Sequence, residues 1–336
     1  MVRIAINGFG RIGRSVLKAA WFDHPEFEVV AINDLGSVSA LAYLLQYDSN
    51  YGLWHVPVKA LDAGTLAVGT KKIPVYAEKN PTRLPWEKHA VDIVIEATGV
   101  LTHEEQALTH IAAGAKRVVL SAPGKGDIPV YVRGVNDTDL TTDQHQIISN
   151  ASCTTNCVAP VTAVIEAAFG IKKAIMTTVH SYTASQSLVD SPKTDLREGR
   201  AAAENIVPTT TGAATAVTKI IPALQDHFDG LSIRVPIATV SLSDMTFLLK
   251  QKVTKEQVNE ALVKASQQAQ FKGILGVSFE PLVSSDYRGD SRSAIVDAEL
   301  TNVVDGDLVK VVAWYDNEWG YANRLAELAL MAAGQT

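Results

Sequence analysis

One stretch near the N-terminus narrows the possible folds more than any other. Gly8-Phe9-Gly10-Arg11-Ile12-Gly13 fits the pattern G-x-G-x-x-G. It follows Val2–Ile6, which alternates like a strand, and opens Arg11–Ala20, which reads as a helix. A second strand, Glu28–Ile32, leads to Asp34, 21 residues beyond Gly13, close to the ~20 this arrangement expects. Each part has a physical task. Gly8 allows a tight turn, Gly10 lets a pyrophosphate approach the backbone, and Gly13 lets helix and strand pack closely. The helix N-terminus offers N–H groups and partial positive charge to phosphates. Asp34 can accept hydrogen bonds from a ribose diol and repel a 2′-phosphate. The bland alternative is a glycine turn without a ligand, but the surrounding strand–helix–strand context favours NAD. NADP is the runner-up, because Gly36-Ser37 leaves room beside Asp34.

The same rhythm continues. Val91–Ile95 and Arg117–Leu120 read as buried strands, with Glu104–Ala113 a helix between them. Strands alternating with helices imply a parallel sheet covered on both faces. From about residue 150 the texture changes. Cys153–Phe169 keeps apolar residues at helical spacing (Val158, Val161, Ile165 and Ala168). Lys173–Val179, Ile233–Asp244, Thr246–Lys252, Ser291–Glu299 and Leu308–Tyr315 then look like antiparallel strands, and Thr254 with Gln257 makes a capping box for a helix to about Gln268. Tyr321–Ala333 is an amphipathic helix. The expected fold is α/β: an N-terminal doubly wound Rossmann-type domain, then an α+β catalytic domain with a mainly antiparallel sheet. We place the first domain at residues 1–150, with the C-terminal helix 318–336 packing back on it, and the catalytic domain at 151–317. Ser181 to Thr211 is a long polar stretch with Pro192 and Pro208, the kind of loop that is usually functional.

Composition excludes whole classes. Of 336 residues, 47% are hydrophobic, and 30 Lys+Arg against 36 Asp+Glu give a net charge of −6. Disorder and a primary role in nucleic-acid binding are therefore disfavoured. No apolar run reaches the ~18–20 residues a bilayer requires, and the N-terminus lacks the apolar core of a secretion signal. The two cysteines, Cys153 and Cys157, form no disulfide framework. The expectation is a cytoplasmic protein without a membrane partner.

Cys153 sits at the start of a helix among Ser152, Thr154, Thr155 and Asn156. There the helix N–H groups favour a thiolate, and polar neighbours make a poor start for a packed core. Cys157, one turn deeper beside Val158, reads as a packing residue. His180 ends an apolar run and enters the polar loop, a position suited to acid–base work. The other seven histidines (His24, His55, His89, His103, His110, His145 and His227) fall in ordinary polar or helical-surface contexts. No spacing resembles a zinc site, and no metal is expected.

Several long motifs, in order, carry a resemblance: INGFGRIGR at Ile6–Arg14, SNASCTTNC at Ser149–Cys157, TTVHSYTASQ at Thr177–Gln186, GRAAAENIVPTTTGAA at Gly199–Ala214, RVP at Arg234–Pro236 and WYDNEWGY at Trp314–Tyr321. Over essentially its whole length the chain resembles the phosphorylating glyceraldehyde-3-phosphate dehydrogenases. The resemblance implies an NAD-dependent oxidoreductase of glycolysis and gluconeogenesis that turns glyceraldehyde 3-phosphate and inorganic phosphate into 1,3-bisphosphoglycerate through a cysteine thioester. It implies Cys153 as nucleophile and His180 as base. Ser152, Thr154, Thr211 and Gly212 would hold inorganic phosphate, and Thr183 and Arg234 the substrate's own phosphate. Arg11, Ile12, Asp34, Lys79, Ser121 and Asn317 would contact NAD beside the glycines, and the protein would be a homotetramer.

Some positions depart from the family's pattern. Ser185 stands where many relatives carry Asp or Thr, and Lys79 where arginine is frequent. Glu198 stands where many bacterial relatives have an arginine, so no role is carried over to it. Leu35 and Pro192 favour the NAD-using branch, whereas Ser191 replaces a leucine typical of strict NAD users. Erythrose-4-phosphate dehydrogenase is the rival enzyme, but the intact Ser181-Tyr182-Thr183 and Thr209-Thr210-Thr211-Gly212 weigh against it. A thiol hydrolase is disfavoured by the glycine fingerprint. A non-enzymatic NAD-fold binding protein is disfavoured by the charge and the complete catalytic set.

Overall fold

A computed structural model describes residues 1–141 and 145–334. The chain divides into two compact units: Met1–Tyr131, Thr138–Ala151 and Ala322–Thr336 form the first, Val132–Asp137 and Ser152–Tyr321 the second.

The first unit is built on an eight-stranded sheet in the order Ile147–Ser149, Arg117–Leu120, Ile93–Glu96, Val2–Asn7, Phe27–Asn33, Lys71–Tyr76, Thr65–Val68, Val58–Asp62. The six strands from Ile147–Ser149 to Lys71–Tyr76 pair in parallel. Their apolar runs are continuous rather than alternating because both faces are covered: Ile4, Ile6, Ile93, Val94 and Val118 are all buried. The far edge, Thr65–Val68 with its two antiparallel neighbours, escapes the sequence reading, and its outermost strand is largely exposed. The chain steps outward from Val2–Asn7 in one direction through Phe27–Asn33, and in the other through Ile93–Glu96. At such a reversal the loops leaving the two central strands diverge and open a crevice at the strands' C-terminal ends. Helix Arg11–Asp23 begins there.

The second unit carries a mixed sheet in the order Val207–Thr209, Phe228–Val235, Ile171–Ser181, Ser241–Leu249, Leu308–Tyr315, Ala294–Asp297, Leu275–Ser278, with Asn302–Val304 also paired to Leu308–Tyr315. Two pairings are parallel, Ile171–Ser181 with Phe228–Val235 and Leu275–Ser278 with Ala294–Asp297; the others are antiparallel. The mainly antiparallel α+β reading therefore stands. The expected continuous strand Ile233–Asp244 does not. Pro236 offers no N–H to a ladder, Val240 adopts φ 69°, and the run breaks into Phe228–Val235 and Ser241–Leu249. Helix Cys153–Phe169 has the expected bounds. The Thr254/Gln257 capping box also forms, with Thr254 Oγ1 accepting from Gln257 N and Gln257 Oε1 from Thr254 N, over a helix Lys255–Ser266. Most of the loop from Ser181 onward is neither helix nor strand, until Val207–Thr209 adds a short edge strand.

Candidate active site

In the first unit, Asn7, Gly8, Gly10, Asn33, Asp34, Glu78, Lys79 and Thr98 line a cleft of about 440 Å³, a size suited to a small-molecule ligand. The glycines divide their work as the spacing implies. Gly8 has φ +91°, and a Cβ there would lie 2.6 Å from the Thr98 nitrogen. A Cβ on Gly13 would lie 2.2 Å from the Gly8 carbonyl oxygen, so helix and strand touch only because it is absent. At Gly10 a Cβ would meet nothing within 4 Å; this glycine faces open space. It is also the N-cap of Arg11–Asp23 with no side-chain cap, leaving the helix's positive end open to an anion. Asp34 is held by Phe9 N to Oδ2 (2.8 Å) and Gly36 N to Oδ1 (2.8 Å), so its remaining lone pairs point in fixed directions. This cradle fits a dinucleotide.

Of the other expected cofactor residues, Lys79 lines the cleft, whereas Arg11, Ile12, Gly13 and Ser121 are not among its lining residues. The Arg11 guanidinium turns to Asp48 (2.9 Å) and lies over the Tyr51 ring, so the side chain itself is not aimed at a ligand. Asn317 belongs to the second unit. There its Oδ1 accepts from Ser181 Oγ and Ser241 Oγ, both at 3.0 Å, which orients the amide. Composition gave no hint of Asn7, Asn33 and Thr98 at the cleft. The available signal was that Asn7 and Asn33 end apolar parallel strands.

In the second unit, Ser152 caps helix Cys153–Phe169 by accepting from Thr155 N at 3.0 Å. Cys153 is the first helical residue, half-buried and free. The chain enters this turn through Ala151 at φ 56°, a left-handed conformation uncommon outside glycine. Sγ of Cys153 lies 3.5 Å from Nε2 of His180, which strand Ile171–Ser181 carries near its end. The parallel neighbour strand sets Arg234 directly beside His180.

The imidazole Nδ1 lies 2.7 Å from the Ser181 carbonyl oxygen and 2.6 Å from Arg234 Nη1. A carbonyl only accepts and a guanidinium only donates, so one ring nitrogen cannot satisfy both. Arg234 Nη1 also donates to the Ser181 oxygen at 3.3 Å. We therefore assign the ring proton to Nδ1, which leaves the Nε2 lone pair facing the thiol.

Burial and the Arg234 charge, opposed by the bond to Ser181, hold His180 down at about 3. Burial also pushes the Cys153 thiol up, although Arg234, the Thr154 hydroxyl and the N–H groups of Thr154 and Cys153 pull it down. The helix terminus thus acts in the direction the sequence implies, but desolvation outweighs it. Both shifts disfavour the charged form of their group. Cys157 is fully buried, and burial pushes its thiol far above the usual range.

The expected phosphate ligands lie in this same unit. Thr183 and Thr211 are partly exposed, and Thr183 Oγ1 lies 3.1 Å from Ser185 Oγ. Thr211 Oγ1 accepts from Ala213 N (3.2 Å), and the exposed Gly212 caps helix Ala213–Ile220. Arg234 keeps a buried Nε with no partner among the described residues. Thr154 differs: its hydroxyl is buried against the Tyr315 hydroxyl at 3.0 Å, so only its backbone remains for a ligand. Glu198, to which no role was given, accepts from Ser185 Oγ (3.3 Å) and Thr209 Oγ1 (3.4 Å). Among the described residues no group of three His, Cys, Asp or Glu could hold a metal ion, and no helix is long and apolar enough to cross a membrane.

Comparison with known proteins agrees with this geometry. The family model for the glyceraldehyde 3-phosphate dehydrogenase NAD binding domain matches residues 2–104, and that for the C-terminal domain of the same family matches residues 152–317. The chain is 50% identical over 332 residues to glyceraldehyde-3-phosphate dehydrogenase 1 of Bacillus subtilis, covering 99% of this chain and 98% of that one. It is 49% identical over 334 residues to the glyceraldehyde-3-phosphate dehydrogenase of Geobacillus stearothermophilus, covering 99% of each. A chloroplastic relative from Arabidopsis thaliana is 48% identical over 334 residues, covering 99% of this chain and 84% of its own. With both domains matched in order and half of all positions shared end to end, this chain belongs to the glyceraldehyde-3-phosphate dehydrogenase family.

Proposed function

We propose that the chain oxidises glyceraldehyde 3-phosphate with NAD and inorganic phosphate to 1,3-bisphosphoglycerate, with Cys153 as nucleophile and His180 as base. The observation that carries this reading is the 3.5 Å approach of Sγ to an imidazole whose other nitrogen donates to the Ser181 carbonyl. Sγ attacks the aldehyde carbon while its proton passes to Nε2 and on to the new oxygen, giving a hemithioacetal on Cys153. His180 then takes that hydroxyl proton as the carbon is oxidised to a thioester. NAD, when bound, would supply the hydride acceptor for this oxidation, and Gly8, Gly10, Asp34 and Lys79 would hold it; for Asn317 the nicotinamide contact rests on the resemblance alone. Inorganic phosphate attacks the thioester, and the Cys153 sulfur leaves and regains a proton.

A base held near 3 is weak at rest. A phosphate dianion drawn to Arg234 offsets the charge that depresses His180, so proton transfer is favoured once substrate is in place. Thr183 shares that phosphate. Ser152, Thr211, Gly212 and the Thr154 backbone take the attacking phosphate. We divide the chain functionally into 1–150 with 318–336 for the coenzyme and 151–317 for the chemistry. We further read the protein as a cytoplasmic homotetramer: Leu188, Val189, Leu196 and Ile206 are each at least 70% exposed, more apolar surface than one loop normally leaves in water.

The test is NADH formation from the triose phosphate with and without inorganic phosphate. Sustained turnover only with phosphate is the expected result. Turnover indifferent to phosphate, or a preference for erythrose 4-phosphate, contradicts it.

A further inference from the structure

Beneath the coenzyme cleft lies a set of buried polar side chains that the proposed chemistry does not use. Glu96 ends strand Ile93–Glu96 and is 3% exposed, and His110 on helix Glu104–Ala112 is fully buried. One carboxylate oxygen, Oε1, accepts from Thr98 N (2.8 Å) and from the Thr98 hydroxyl. The other, Oε2, accepts from Asn7 Nδ2 at 2.5 Å and lies 3.0 Å from His110 Nε2. His110 Nδ1 in turn accepts from the Trp86 indole N–H at 3.0 Å. Asn7 Oδ1 accepts from Asn33 Nδ2 (2.7 Å), and the Asn33 side chain bonds both backbone groups of Glu78, accepting from N (2.9 Å) and donating to O (3.0 Å).

The direction of every bond is forced. An indole N–H only donates, so the His110 proton must sit on Nε2 and point at Glu96. Thr98 N and Glu78 N only donate as well, which fixes the carboxylate as acceptor at one end and both asparagine amides at the other. One determinate network thus runs from Trp86, through His110 and Glu96, to the four residues Asn7, Asn33, Glu78 and Thr98 that line the cleft. Glu96, His110 and Trp86 do not line it.

We infer that Glu96 and His110 are positioning residues for the dinucleotide. They set the cleft floor at Asn7 and Thr98 and its wall at Glu78, and so pre-form the shape that NAD meets. A fully satisfied buried network rigidifies what it touches, whereas a mismatched one leaves a donor or acceptor stranded. This inference rests on the cleft being the NAD site.

The experiment is an equilibrium NAD titration of the full-length protein, with kcat measured at saturating NAD. In Glu96→Gln, Thr98 N obliges the amide oxygen to stay on its side, so the new NH2 faces Asn7 and His110. His110 can accept from it only by moving its proton to Nδ1, against the Trp86 N–H. The expected result is a Kd for NAD raised about tenfold or more, with kcat at saturation changed less than about twofold. Trp86→Phe frees Nδ1 to carry the proton, while Asn7 Nδ2 still faces the new NH2, so Glu96→Gln/Trp86→Phe should recover only part of that affinity. His110 gives a second route should Glu96→Gln fold poorly. His110→Gln can still donate to Glu96 and accept from Trp86, and should bind NAD nearly normally; His110→Leu can do neither, and should lose about tenfold.

Wild-type affinity in folded Glu96→Gln, or equal affinities in His110→Gln and His110→Leu, would overturn the positioning role. Failure of the unsubstituted protein to bind NAD would instead overturn the assignment of the cleft.

Discussion

In the first unit, the groups that face the cleft leave the ends of parallel strands, of which Val2–Asn7 and Phe27–Asn33 are joined by a single helix while Lys71–Tyr76 and Ile93–Glu96 enter the same sheet from further along the chain. In the second, His180 and Arg234 stand side by side although 54 positions separate them, because Ile171–Ser181 and Phe228–Val235 pair in parallel across a long connection. Cys153 reaches them from a helix N-terminus. The first unit therefore builds its site from backbone shape, chiefly missing Cβ atoms and a helix end. The second builds its site from side-chain chemistry fixed by sheet register. Where a site rests on missing Cβ atoms it tolerates no added bulk, and where it rests on side-chain chemistry it tolerates no change of functional group.

Substitutions in the two units should separate these behaviours. The largest effect is expected for His180→Asn, which removes the base without adding volume: pre-steady-state NADH formation should slow by ~10²–10⁴ while the Kd for NAD stays close to wild type. Equal hydride-transfer rates in the two proteins would remove His180 from the role. Gly13→Ala adds one carbon where a Cβ would lie 2.2 Å from the Gly8 carbonyl. Forcing that contact should cost roughly 1–3 kcal/mol, read as a lower urea midpoint together with weaker NAD binding. Gly10→Ala, with open space at its Cβ, should leave stability nearly unchanged and weaken NAD binding alone. Indistinguishable midpoints for the two variants would break the comparison.

A further effect is thermal. The folded value for His180 is about 3 and the unfolded one ~6.5. As pH falls from 6.5 toward 3 the unfolded chain therefore binds a proton that the native state refuses, and native stability is lost in that window. Acidification should accordingly lower the Tm of the wild type more than that of His180→Asn; parallel Tm curves would show that His180 is not held neutral.

Much of this was legible in the sequence for definable reasons. The glycine spacing, Asp34 and the bounds of Cys153–Phe169 are local properties of backbone sterics and helical period, so they survive without knowledge of the fold. The break at Pro236–Val240 was legible in part, since Pro236 warns of it, but the apolar run from Ile233 masked the warning. Other features depend on tertiary pairing and left no local trace. Thr154 sits in the cysteine motif, yet its hydroxyl is drawn inward to Tyr315 from a strand 161 residues away. Arg11 sits inside the fingerprint, yet Asp48 claims its guanidinium. His110 reads as a helix-surface residue by position and is instead fully buried, because Glu96 and Trp86 satisfy both of its nitrogens.

The most direct measurement is intact-protein mass spectrometry of the chain mixed with the triose phosphate and NAD in the absence of inorganic phosphate. A single acyl adduct should accumulate, map by peptide analysis to Cys153 rather than Cys157, disappear when phosphate is added, and never form in Cys153→Ala. An adduct at another residue, or turnover by Cys153→Ala, would contradict the claim that this sulfur carries the reaction.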